Sequence, residues 1–353
     1  MEKKKVRNGK VDLLKFIFSI VVILYHFGNS VKYDRELFNR GYMAVEFFFL
    51  VSGFLFAASL SRVKYSEETL AADSTAFIVK KYRSFMPYHL FMVAVTFGCL
   101  FFSRDWSVRD LFLNLVNSIP DILLIQMGLT KQFSTLGHEW YISAMLIVMF
   151  ILTPIVIKYK DKFTRLAAPV ASLLVLGWLW RKYEGNLDLV FSDTGFAYAG
   201  LLRAFAEICL GCFCYVICNS GVLEKINSYA LIAFETAVYA FLLLYADNRF
   251  SDISPYVAVI LIACAVTVSF SDKASLSFLN NGFVYFLGKI SFPIYLMQII
   301  VRQYISQIDW KYGYASHAIF YVAVVILSSV VCILVMDNVM KFIDNKKRSK
   351  KKR

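Results

Sequence analysis

The sequence predicts an all-α, polytopic membrane protein with ten transmembrane helices and one extra re-entrant or interfacial helix. Three observations lead there. Of the 353 residues, 59% are hydrophobic and only 18% charged, whereas a soluble domain is nearer half apolar and a quarter charged. Apolar runs long enough to span a bilayer recur along the whole chain. The net charge of +13 is concentrated in two tails, Met1-Glu2-Lys3-Lys4-Lys5-Val6-Arg7 and Lys346-Lys347-Arg348-Ser349-Lys350-Lys351-Lys352-Arg353. Basic tails beside membrane spans are topology signals and contacts for anionic lipid, so membrane lipid is the expected partner and nucleic acid is not.

Eleven runs qualify: 12–28, 43–60, 84–102, 111–128, 139–157, 166–180, 199–218, 228–246, 254–270, 285–305 and 316–340. Two basic termini belong on the cytoplasmic side, which requires an even number of crossings. The run 111–128 carries Asn114, Asn117, Pro120 and Asp121 and is the one expected not to cross. The remaining ten spans put 24 of the 38 Lys and Arg on the side of the termini and ten on the other, leaving Lys15, Arg203, Lys289 and Arg302 within spans. The first helix, basic then apolar without a small-x-small cleavage site, reads as uncleaved. No internal repeat and no linker divides the chain. Residues 1–345 read as a single membrane domain and 346–353 as a basic cytoplasmic tail, in a cell membrane of the bacterial plasma-membrane kind.

Taken in order, the spans carry polar groups where hydrocarbon should be. In the first, helical steps of about 100° place Lys15 and His26 within roughly 20° of one another and about 16 Å apart along the axis. Asp12 and Ser19 share that side. Ionisable groups inside a membrane cost several kcal/mol and normally face a protein or water interior where they work; the simpler alternative is a Lys and an Asp snorkelling at the interface. Glu46 opens the second span, with apolar residues directly after it. Lys80-Lys81-Tyr82-Arg83 precedes Pro87 in the third, and three cations there could hold the phosphates of an anionic donor or serve only as topology signals. Glu139 opens the fourth. Arg203 and Glu207, an i,i+4 pair, sit in the outer half of the sixth, and Gln298 and Arg302 in the outer half of the ninth. A His with carboxylates and an Arg at one depth can act as a general-base site or can be ion pairs holding helix ends together. The seven Cys all lie in apolar runs; Cys209, Cys212 and Cys214 have no His nearby and read as packing residues, so no metal site and no disulfide is expected.

Together these segments resemble the membrane-bound acyltransferase-3 family. Lys15-x10-His26 is similar to its Arg/Lys-x10-His motif, and Gly41 to Phe54 to its G-V-D/E-x-F-F-x-x-S-G-F segment, with Glu46 at the acidic position. Lys80-x-x-Arg83 followed by Pro87 resembles its Arg-x-x-Arg-then-Pro pattern, with Lys in place of the first Arg. Glu139-Trp140-Tyr141-Ile142-Ser143 is similar, in altered form, to its W-x-L-S region, Leu202-Arg203 through Gly211 to its R-x-x-x-F-x-x-G helix, and Phe286 to Leu296 to its L-G-x-I-S-Y-x-I-Y-L segment, with Gln298 where the family usually has His.

The resemblance implies transfer of an acyl group, most often acetyl from acetyl-CoA, to a hydroxyl of a cell-surface or exported glycan or lipid-linked glycan. No bound cofactor is implied; acyl-CoA is a donor substrate held near Lys15, Lys80 and Arg83. His26 would be the general base, Glu46 or Glu139 would orient its imidazole, and Arg203, Trp140 and Gln298 would meet the acceptor. Since the resemblance brings no further domain, transfer is expected to be completed by this chain or with a separate partner. The competing expectation is a ten-helix transporter or glycan flippase without acyl transfer, which should show an inverted repeat.

Overall fold

The first helix, α1 (Gly9–Gly28), begins where the Asn8 side chain accepts a hydrogen bond from the Val11 N–H, satisfying a donor that the first turn leaves open, and places Asp12 in that turn. The computed structural model describes residues 7–31, 33, 37–129, 139–250 and 252–351. Lys3, Lys4, Lys5, Lys32, Arg35, Lys131, Gly137 and His138, and the side chains of the basic tail from Lys346, lie outside what is described.

Among the described residues eleven further helices follow: α2 (Ala44–Leu60), α3 (Leu70–Ser103), α4 (Val108–Asn117), α5 (Ile119–Ile122), α6 (Trp140–Lys162), α7 (Ala168–Lys182), α8 (Ala199–Cys218), α9 (Ser228–Ala246), α10 (Pro255–Ser269), α11 (Gly282–Ile305) and α12 (Tyr314–Lys351). Among the described residues the only β pairing is one isolated bridge, Asp193 with Tyr198. The protein is therefore all-α. By length and apolarity eight helical stretches among the described residues qualify as membrane spans, and α10 is a shorter apolar helix.

Two stretches explain how these helices relate to the eleven runs. Residues 111–128 are broken into α4, α5 and a single turn at Gln126–Gly128, none long enough to cross. α4 is closed by a capping box in which Ser107 and Asp110 exchange hydrogen bonds. The other stretch, Trp140–Lys182, runs without a loop for 43 residues. A straight helix of that length would reach about 65 Å, twice a bilayer core. Instead Lys160 leaves helical dihedrals and Phe163–Ala167 form a π-helical turn, so the chain folds back as α6 and α7. Trp140 at one end meets Arg203, and Trp180 near the other meets Tyr256 at the same end of the bundle.

The end of the bundle holding the termini is fastened by buried polar bonds. Lys10 Nζ lies 2.7 Å from Glu235 and 2.7 Å from the Ala274 carbonyl, and Asn8 donates to the Ser269 carbonyl at 2.9 Å. Ser269 in turn donates to Glu235 and pairs with the Tyr239 hydroxyl. α1, α9 and α10 are thereby fixed against one another.

α2 and α8 touch backbone to backbone. A Cβ on Gly53 would lie 2.2 Å from the Ile208 carbonyl oxygen, and one on Gly211 would lie 2.3 Å from that of Leu50. Small residues at such crossings let membrane helices approach closely. Since Glu46 rides on α2 and Arg203 on α8, this crossing sets their register. Gly211→Val is expected to drive the two helices apart and to sharply reduce the amount of folded protein recovered in detergent, read by fluorescence-detected size exclusion. Recovery and melting equal to wild type would mean that the crossing is not tight.

Candidate functional site

One face of α1 lines two separate cavities. Toward the terminus end, Val11, Asp12 and Lys15 border a recess of about 1300 Å³ whose other walls include Arg7, Arg62 and Asn280. At the opposite end, Val22, Tyr25, His26 and Asn29 border a recess of about 590 Å³ shared with Trp140, Arg203 and Arg302. Helical phase accounts for this: residues 11, 15, 22, 26 and 29 fall within about 60° of each other around the axis. Between the recesses the same face carries Phe18, buried and stacked on Phe47 with ring centroids 4.6 Å apart, and Tyr239 meets both rings edge-on. The neighbouring Ser19 hydroxyl is taken up by the Phe16 carbonyl.

In the terminus-end recess, Asp12 bridges Arg7 and Lys15; its carboxylate pairs with the Arg7 guanidinium and lies 3.6 Å from Lys15 Nζ. Arg62, just past the end of α2, adds a third cation to the wall. On α3 the expected pair is split from its neighbour: Lys80 and Arg83 are exposed, while Lys81 is half-buried, leans over the Phe85 ring at 5.3 Å and feels the charge of Lys15. Lys80, Lys81 and Arg83 line neither cavity; Lys81 is the one of the three whose charge acts on Lys15.

In the opposite recess His26 is half-buried, with its ring 5.2 Å from that of Tyr25. The Tyr25 hydroxyl donates to Asp188 at 2.7 Å, and Arg302 donates to the His26 carbonyl at 3.3 Å. Arg203 forms the floor. Its guanidinium pairs two-pronged with Glu46, donates to the Leu187 carbonyl at 2.8 Å, lies 3.5 Å from Glu207, and stands over the Trp140 ring at 5.6 Å. All three ionisable groups are sealed, with 1% of Arg203 and 0% of Glu46 and Glu207 exposed. A buried, two-pronged guanidinium–carboxylate pair holds its geometry strongly, since either partner alone would be an uncompensated charge.

The two carboxylates expected to orient His26 hold other groups. Glu46 is bound to Arg203, and Glu139 lies 2.8 Å from His89 Nδ1, while His89 Nε2 meets the Ile122 carbonyl at 3.0 Å. His89 and Glu139 are both fully buried. Trp140, the next residue after Glu139, lines the His26 recess. Gln298 lines neither recess; it is buried in α11 and donates to the Tyr295 carbonyl at 2.9 Å. Thus Lys15 is in one cavity, His26, Trp140 and Arg203 are together in the other, and Glu46 stands one layer behind.

Several contributors to these sites carried weak sequence signals. His89 sits in the apolar run 84–102, and an ionisable group there is by default worth singling out. Lys81 continues, at helical spacing, the inward stripe of half-buried Phe85 and buried His89 and Met92. Asp188 and Arg62 come from connections between helices, where no periodicity points to a cavity.

A family model described as an acyltransferase domain matches residues 8–337, nearly the whole chain. Neither the curated proteins nor the solved structures contain a match.

Proposed function

The chain belongs to the acyltransferase-3 family, and from that premise we propose that it moves an acetyl group from acetyl-CoA on the cytoplasmic side of a cell membrane to a hydroxyl of a surface or exported glycan on the other side. The observation that carries this reading is the single face of α1 that supplies a Lys to one recess and a His to the other. Ten crossings, with both termini cytoplasmic, put the basic recess on the donor's side.

The donor recess suits an anionic, elongated substrate. Arg7, Lys15 and Arg62 line it and Lys81 stands close to Lys15, so charge-assisted bonds to phosphate and diphosphate are available. Lys80 and Arg83, exposed on α3, attract the same anion on approach. The acyl-bearing arm must then cover about 16 Å to reach His26. There His26 takes the proton of an acceptor hydroxyl as its oxygen attacks the thioester carbonyl carbon. The C–O bond forms, the C–S bond breaks, and the proton passes to the departing thiolate. Trp140 offers an apolar ring, with Asn29 and Asp188 as polar edges, against which a sugar can stack and hydrogen-bond.

Membranes containing the protein, incubated with radiolabelled acetyl-CoA and isolated cell-surface glycan, should move label into the glycan and release free CoA. Glycan crossing the membrane with no CoA released would support the transporter reading instead. Arg62→Ala with Lys81→Ala should raise the KM for acetyl-CoA about tenfold or more through lost bonds to phosphate, leaving the KM for glycan unchanged. An unchanged donor KM would move the nucleotide elsewhere.

A further inference from the structure

Two arginines reach the His26 recess, and their hydrogen bonds set them apart. Arg203 has Nε and Nη2 on Glu46 and Nη1 on the Leu187 carbonyl, so it can meet a substrate only by giving up the clamp. Arg302 is half-buried and, among the described residues, has one hydrogen bond from its guanidinium, Nη1 to the His26 carbonyl. Among the described residues no carboxylate lies within ion-pair distance of it. A guanidinium carries five N–H donors in a fixed fork. Arg302 therefore presents unspent donors to a cavity that also holds His26.

We infer that Arg302 is a catalytic residue that binds the oxyanion formed when the acceptor hydroxyl attacks the acyl carbonyl. This rests on the acyl-transfer reading above. When the hydroxyl oxygen bonds to the carbonyl carbon, the carbonyl π pair moves onto its oxygen and the hydroxyl proton moves to His26. When the intermediate collapses, that pair re-forms the carbonyl, the C–S bond breaks, and the proton on His26 goes to the thiolate sulfur. The charge appears two bonds from the oxygen that His26 deprotonates, on an atom attached to the same carbon. Arg302 donates to the backbone carbonyl of His26 itself, which keeps the cation beside the base. Fixed donors aimed at developing charge are the form of electrostatic stabilisation that needs no reorganisation during reaction.

The test is Arg302→Gln and Arg302→Lys, assayed with radiolabelled acetyl-CoA and isolated cell-surface glycan alongside wild type, with melting in detergent as the check on folding. Arg302→Gln should lose about 10²–10³-fold in kcat, with the glycan KM changed less than about threefold, and Arg302→Lys should recover part of the loss because charge remains. A raised glycan KM with unchanged kcat would overturn the role and make Arg302 the seat of an acidic group on the acceptor. Unchanged kinetics in an active protein would overturn it outright. If wild type itself moves no acetyl, the acyl-transfer reading fails and takes this role with it.

Discussion

His26→Gln lowers acyl transfer by about 10²–10⁴-fold, the range that general-base catalysis commonly supplies. A sugar hydroxyl is a poor nucleophile until its proton is accepted. Glutamine keeps the volume of the imidazole and a hydrogen-bonding end but cannot accept that proton at neutral pH. The protein should insert and melt as wild type does, because His26 is only half-buried at the edge of a recess. Measuring label transferred per mole of folded protein separates chemistry from abundance. Near-normal transfer by His26→Gln would remove the general-base role and leave the imidazole as part of the wall.

Arg203→Met should cost about 3–5 kcal/mol of stability, the usual penalty for breaking a buried ion pair from one side. Methionine fills much of the space but leaves Glu46 and Glu207, both fully buried, facing each other without a cation. Arg203→Lys should fall between, since it keeps the charge but loses the two-pronged fit to Glu46. Thermal melting in detergent is the measurement. A variant that melts normally yet no longer uses the glycan would make Arg203 an acceptor ligand, as the sequence suggested, and not a clamp.

Much of the site was legible because it lies along one helix. The register of Lys15 and His26 follows from the α-helical step alone, and the cavities fall where that register puts them. Arg203 and Glu207 were legible for the same reason, being four residues apart. Their partner Glu46 was visible as a buried acid, but its pairing with Arg203 bridges 157 positions and depends on how α2 crosses α8. The pairing of Glu139 with His89 is of the same kind, and nothing in the residue order favours His89 over His26 as its partner.

Elsewhere the difficulty was local. The charged segment 158–165 reads as a loop between spans, yet it holds no Gly, Pro or Asn to stop a helix, and the chain turns there while remaining helical. On α3, four consecutive residues contain three cations, and which one faces inward depends on the rotation of the helix. The inward stripe running from buried Met92 and His89 back through half-buried Phe85 fixes that rotation and selects Lys81.

Phe18 stacked on Phe47 also insulates. In the proposed orientation, water in the two recesses comes within about 10 Å, the rise from Lys15 to Val22. A resting potential would then fall almost entirely across that thin partition, doing about 2.3 kcal/mol of work on each elementary charge per 100 mV. The two rings offer a proton no group to ride on, and the Ser19 and Tyr239 hydroxyls beside them are already engaged. A proton therefore does not leak between the recesses, and in the proposed reaction the one lifted from the acceptor crosses only on the sulfur of the departing CoA.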